Sequence, residues 1–145
     1  MKFSEYSAGQ VLKFGHYKVE EAEILEFAAR YDPQWFHTEL DKVENGPYGG
    51  LIASGIQTLG VAMRLVADEL LQGSQSFGSP GLAYLKWPNP VRPGDVLSVT
   101  ITVLETKQSR SRPNLGILRW QWQLSNGEGV EVLDLEATSF FDIAP

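Results

Sequence analysis

A helical pattern runs from Ser54 to about Gln72, and it is too apolar to lie on a protein surface. Ile56, Leu59, Met63, Val66, Ala67 and Leu70 recur at helical spacing and form the expected inward face. Val61, Ala62 and Leu65 make the remaining face of the first half apolar as well, so protein must surround this helix. Everything after Gly73, the expected residue past the helix end, can do the surrounding. Leu97, Val99, Ile101 and Val103 alternate with polar residues, as do Leu118, Trp120, Trp122 and Leu124. Leu133, Leu135, Ala137, Ser139 and Phe141 form a third alternating set. Period two over such lengths predicts strands with one buried face.

Arg92-Pro93-Gly94-Asp95 and Ser125-Asn126-Gly127 supply turn chemistry between these strands, and Leu82 to Trp87 adds a further strand ended by Pro88 and Pro90. Ahead of the apolar helix, Gln10 to Val19 allows a strand. Ile24, Phe27, Ala28 and Tyr31 then mark an amphipathic helix over Glu20–Tyr31, with Glu20, Glu21 and Glu23 in its favourable first turn. The predicted architecture is α+β: an antiparallel sheet wrapped around a long central helix. The 145 residues fit one domain, 1–145.

Twelve basic against eighteen acidic residues give a net charge of −6, which opposes binding to phosphate backbones and argues against a nucleic-acid partner. Trp120 and Trp122 accordingly belong to the core or an interface. No apolar run approaches a membrane span. The absence of cysteine, and of an apolar signal core near the N-terminus, points to the cytoplasm.

The segment between the two helices, Asp32 to Gly50, is broken by Pro33, Asn45-Gly46-Pro47 and Gly49-Gly50, leaving a loop with room for one helical turn. A connection of this length in a compact domain is usually functional. It carries two proton-transfer groups. Asp32 precedes a proline, which ends the helix and puts the carboxylate on the loop, and His37 follows five positions later. At the start of the apolar helix Ser54-Gly55-Ile56-Gln57 fits a capping box, with Ser54 as N-cap and Gln57 reaching back. The Gly55 amide is then left at the positive helix end, where the absence of a Cβ would let a substrate carbonyl approach. The capping role accounts for Ser54 without any role as nucleophile. His16, alone in a strand, carries little catalytic weight.

Asp32-x4-His37, GGLIASG at Gly49–Gly55 and PVRPGDVL at Pro90–Leu97 together resemble the MaoC-like acyl dehydratases, which include the R-specific enoyl-CoA hydratases. The resemblance spans nearly the whole chain. It departs from proven hydratases where Gln34 and Trp35 replace Asn and Pro, where Ser54 replaces a histidine, and where Met63 replaces a serine.

The resemblance implies the hot-dog fold and addition or removal of water across the 2,3 bond of an acyl thioester, with the R isomer as the hydroxyacyl form. Asp32 is then the base, His37 the acid and the Gly55 amide the oxyanion donor, with no metal and no cofactor beyond the coenzyme A of the substrate. Coenzyme A or acyl-carrier protein would carry the acyl group, and Lys86, Arg92, Arg110 and Arg112 are the cations available to a negative carrier, though solvated surface charge accounts for each equally well. A homodimer is expected. A hot-dog thioesterase and a noncatalytic acyl-thioester-binding relative are the alternative readings.

Overall fold

A computed structural model describes residues 1–145. Strand β1 (Val11–Lys18) leads into helix α1 (Glu21–Tyr31), two single-turn helices α2 (Trp35–Thr38) and α3 (Leu40–Val43), and the apolar helix α4 (Gly55–Val66). Strands β2 (Ser76–Lys86), β3 (Val96–Gln108), β4 (Leu115–Ser125) and β5 (Glu131–Asp142) follow. They form one antiparallel sheet in the order β1-β3-β4-β5-β2. The sheet curls round α4, which packs on β1, β3 and β5. This is the hot-dog arrangement.

All three alternating sets read from the sequence point inward and are buried, with Trp120, Leu97, Ile101 and Leu133 fully so. The core joins them to Val61, Ala62, Leu65 and Val66 of α4. Trp120 stands edge-on to both Tyr6 and Trp122, an arrangement that aromatic quadrupoles favour.

Four local expectations are corrected. First, α4 is turned relative to the stripe chosen from periodicity. Thr58, Val61, Ala62, Leu65 and Val66 face the sheet, whereas Ile56 is 54% and Met63 42% exposed. A helix apolar on both sides offers two stripes, and the smaller Val and Ala side chains let it sit close under the sheet. That closeness is visible at Gly15, in a bulge of β1 at φ +92°, where an added Cβ would lie 3.1 Å from Leu65 Cδ2. Second, the regular α4 ends at Val66 and its continuation, Ala67–Leu71, widens into a π-helical turn. Third, β2 begins at Ser76 instead of Leu82. It is an edge strand, and its shifts in register between Ser76 and Gly78 and between Gly78 and Gly81 absorb glycines and a proline that a central strand would reject. Fourth, the loop after Asp32 holds two helical turns, not one.

Candidate active site

Helix α1 stops where the Asp-Pro pair requires. Asp32 leaves the helical region at φ −153°, ψ 67°, while its amide still reaches the Ala28 carbonyl at 2.8 Å. Its carboxylate accepts two strong hydrogen bonds, from Gln34 Nε2 to Oδ1 at 2.7 Å and from the Ser54 hydroxyl to Oδ2 at 2.7 Å. The Gln34 amide, the Ser54 hydroxyl and the nearby His37 ring together hold the Asp32 carboxyl below the usual carboxylate range, against a smaller opposing effect of burial.

His37 is not on the open loop that its sequence position implies. It lies in α2 and is only 4% exposed, with the Phe36 ring 4.3 Å away centre to centre. Its Nδ1 is 2.8 Å from the Ile52 carbonyl oxygen. A carbonyl can only accept, so Nδ1 carries a hydrogen, and Nε2 is the ring nitrogen left to gain or lose a second one. Nε2 lies 3.3 Å from Asp32 Oδ2.

Ser54 is fully buried. Its oxygen accepts the Ile56 amide at 3.3 Å while its hydroxyl donates to Asp32, so one side chain caps α4 and clamps the carboxylate. The expected capping box is half formed. Gln57 does not reach back to residue 54; its Nε2 donates to Glu23 Oε1 at 3.0 Å, and Glu23 in turn accepts the Tyr17 hydroxyl at 2.8 Å. Burial and the bond to Glu23 push that hydroxyl up to about 12, so it remains a donor. The cluster ties β1, α1 and α4 together.

The Gly55 amide has no hydrogen-bond partner within the chain, as expected for the first turn of a helix. The space a Cβ would fill is already taken. The Trp87 indole packs there, with Cε2 2.6 Å from the ideal Cβ position, and Trp87 Nε1 donates to the Gly55 carbonyl at 2.9 Å. Glycine is therefore demanded at 55 by an indole of the same chain.

Asp32, His37, Ser54 and Gly55 meet on one cleft of about 440 Å³, whose apolar walls include Phe36, Tyr48, Ile56, Trp87 and Val91. An ionised carboxylate, an imidazole nitrogen and an unpaired helix-end amide beside apolar surface can exchange protons with, and polarise, a mostly apolar carbonyl compound. No three His, Cys, Asp or Glu side chains come together as a metal-holding group. No helix is long and apolar enough to cross a membrane.

The four basic residues are not gathered in one place. Lys86 lies over the Tyr84 ring at 5.3 Å, next to Trp87. Arg92 borders a second cleft that shares Asn89 and Pro90 with the first. Arg110 and Arg112 sit in the β3–β4 turn, at the end of the sheet away from Lys86 and the start of β5. Sequence reasoning missed Trp87 as a site residue, and noticed Gln34 only as a departure. A tryptophan leaving a strand into Pro-Asn-Pro was the available signal for the first. For the second, the signal was an amide two positions after an aspartate.

A family model described as MaoC like domain matches residues 4–119. An uncharacterised protein of Bacillus subtilis (strain 168), YdeM, is 34% identical over 136 residues, which is 94% of this chain and 95% of that one. The crystal structure of a MaoC-like dehydratase from Rhodospirillum rubrum is similar at 35% identity and a TM-score of 0.90, covering 98% of this chain and 97% of that one. The R-hydratase PhaJ1 from Pseudomonas aeruginosa shares the fold at 21% identity and a TM-score of 0.78, over 98% and 86% of the two chains. A family match over most of the length, with a relative at 34% identity matched almost end to end, joins the geometry above to one conclusion: the chain belongs to the MaoC-like dehydratase family of the hot-dog fold.

Proposed function

We propose that this protein hydrates trans-2-enoyl thioesters, or dehydrates the corresponding 3-hydroxyacyl thioesters, at the Asp32–His37 pair. The observation that carries the reading is the 3.3 Å approach of His37 Nε2 to an Asp32 carboxylate already held ionised by Gln34 and Ser54. From the state with a proton on Nε2, water attacks C3 as Asp32 takes its proton, and the π electrons move towards C2 and the thioester oxygen. C2 then takes the Nε2 proton. The protonated Asp32, a strong acid for a carboxyl in this setting, returns its proton across the short gap to Nε2, and the pair is restored with atoms and charge balanced.

Charge that develops on the thioester oxygen needs a donor, and the unpaired Gly55 amide at the positive end of α4 supplies one, worth about 3–4 kcal/mol in comparable sites. Family membership supports the R configuration of the hydroxyacyl product. Coenzyme A or acyl-carrier protein carries the acyl group, and Lys86, next to Trp87, and Arg92, in the cleft that shares Asn89 and Pro90 with that of Asp32 and His37, are the cations proposed to meet it. The protein works in the cytoplasm as a homodimer.

The test follows enoyl absorbance and free thiol on one sample with crotonyl-CoA and longer trans-2-enoyl-CoAs. Loss of absorbance without thiol release, giving a 3-hydroxyacyl-CoA that chiral analysis assigns as R, is the expected result. Thiol release with the double bond intact would replace the reading with a thioesterase. No change in either signal at any chain length would leave a binding protein.

A further inference from the structure

We infer that Trp87 sets the upper size of the acyl group admitted to the cleft, a specificity role that rests on the acyl-thioester reading above. The indole is held at one edge and bare at the other. Its Nε1 donates to the Gly55 carbonyl, and its ring fills the place of a side chain at residue 55. Its backbone is equally fixed: Pro88 and Pro90 follow, Asn89 Nδ2 donates to the Glu131 carbonyl at 2.9 Å, and Ala53 N donates to the Val91 carbonyl at 2.9 Å. Despite these ties Trp87 is 44% exposed, and it lines the cleft that holds Asp32 and His37.

An acyl group whose C2 and C3 lie at Asp32 and His37, with its thioester oxygen at the Gly55 amide, meets the ring that leans on Gly55. A flexible wall would yield to a longer chain. This one yields only by breaking the bond to Gly55 and lifting off its contact, so added methylenes must either displace it or stay in water. Discrimination of about 10–200-fold per methylene is available to an apolar site of this kind.

The experiment compares the full chain with Trp87→Ala and Trp87→Phe. Binding of butyryl-, hexanoyl- and octanoyl-CoA, which lack the double bond and cannot react, is measured by calorimetry, with kcat/KM for the matching enoyl-CoAs alongside and thermal unfolding as the check on folding. The octanoyl-to-butyryl affinity ratio is expected to rise at least about tenfold in Trp87→Ala, with Trp87→Phe intermediate. An unchanged ratio in folded protein overturns the inference, as does an equal loss at every chain length, which would make Trp87 a purely structural support. Absence of binding to every acyl-CoA overturns it too. A shifted binding ratio without any turnover upholds the role of Trp87 and removes the hydratase reading instead. Should Trp87→Ala fail to fold, the ratio in Trp87→Phe decides alone.

Discussion

The hydroxyl of Ser54 donates to Asp32 Oδ2 over 2.7 Å while its oxygen accepts the amide of Ile56, so the residue that starts α4 also fixes the carboxylate that ends α1. Helix start and helix end, 22 positions apart in sequence, are positioned by one side chain. Stability and acid–base behaviour are therefore coupled at this point.

Ser54→Ala is expected to lose about 1 kcal/mol of stability, the ordinary cost of an N-cap. It should also weaken activity. Ser54→Asp, which capping alone would favour as a replacement, sets a second carboxylate against Asp32 and should not restore either property. Chemical denaturation with parallel rate measurements checks both, and an aspartate variant as stable and active as the parent would dismiss the coupling.

Asp32→Asn and His37→Ala should each lower kcat/KM by about 10²–10⁴-fold, the range for a positioned acid or base. The thermal midpoint should respond differently in the two. Asp32 is partly open, whereas the His37 ring is buried and bonded to Ile52, so its truncation leaves a cavity and an unpaired carbonyl. His37→Gln, which keeps much of the volume, separates catalysis from folding. Either single variant retaining over about a tenth of activity would take that residue out of the mechanism.

A pH profile tests the clamp on Asp32. Gln34 and Ser54 favour its ionised form, so the carboxyl titrates below its ordinary value and the acidic limb of kcat/KM should lie below that of an unperturbed aspartate. By linkage, the stability that Asp32 contributes is present above its unfolded value and is lost as pH falls through the lower folded one. Gln34→Ala should move the acidic limb upward, and by more than Ser54→Ala does, because the Gln34 bond is the larger influence. A limb that stays in place in both variants would show that another group controls it.

Gly55→Ala drives a Cβ to within 2.6 Å of the indole, so Trp87 must move and lose its bond to the Gly55 carbonyl. The change should destabilise the parent but be well tolerated when Trp87 is already alanine. A double-mutant cycle measured by denaturation should give a coupling of about 0.5–3 kcal/mol. Strict additivity would mean that the two residues do not depend on each other.

Much of this was legible in the sequence. Period two gave Leu97–Val103, Leu118–Leu124 and Leu133–Phe141 their faces, because strand alternation offers only two choices and one was polar. On α4 both choices were apolar, so the helix could not be oriented, and Ile56 and Met63 were put on the wrong side. Asp32, Ser54 and Gly55 stood out because chain-breaking and capping are local effects, His37 because it follows on the same loop at the family spacing, and the structure brings all four to one cleft. Residues that matter through long-range contact left no local mark. The Trp87–Gly55 packing spans 32 positions, and the Gln57–Glu23 bond spans 34. Local pattern favoured a capping box at Gln57, and tertiary contact with α1 won.

Strand β2 is expected to be the seam of a homodimer. It is an edge of the sheet, it runs for 11 residues, and it leaves its outer row of amides and carbonyls without a strand partner. Phe77 is 55% exposed on it, and Leu82 lies at its middle with an open side chain. A long edge that exposes apolar side chains is a pairing template unless it is covered, and a second copy related by a two-fold axis would pair β2 with itself and continue the sheet. The opposite edge, β1, is shorter, eight residues against eleven, and carries Lys13 and Lys18, whose charges discourage pairing. Light scattering at micromolar concentration should report twice the mass of the chain. Leu82→Lys sets like charges near each other at the two-fold axis and should shift the protein towards monomer. A parent that is monomeric and fully active would defeat the idea outright, and a Leu82→Lys variant that dimerises as tightly as the parent would move the seam away from β2.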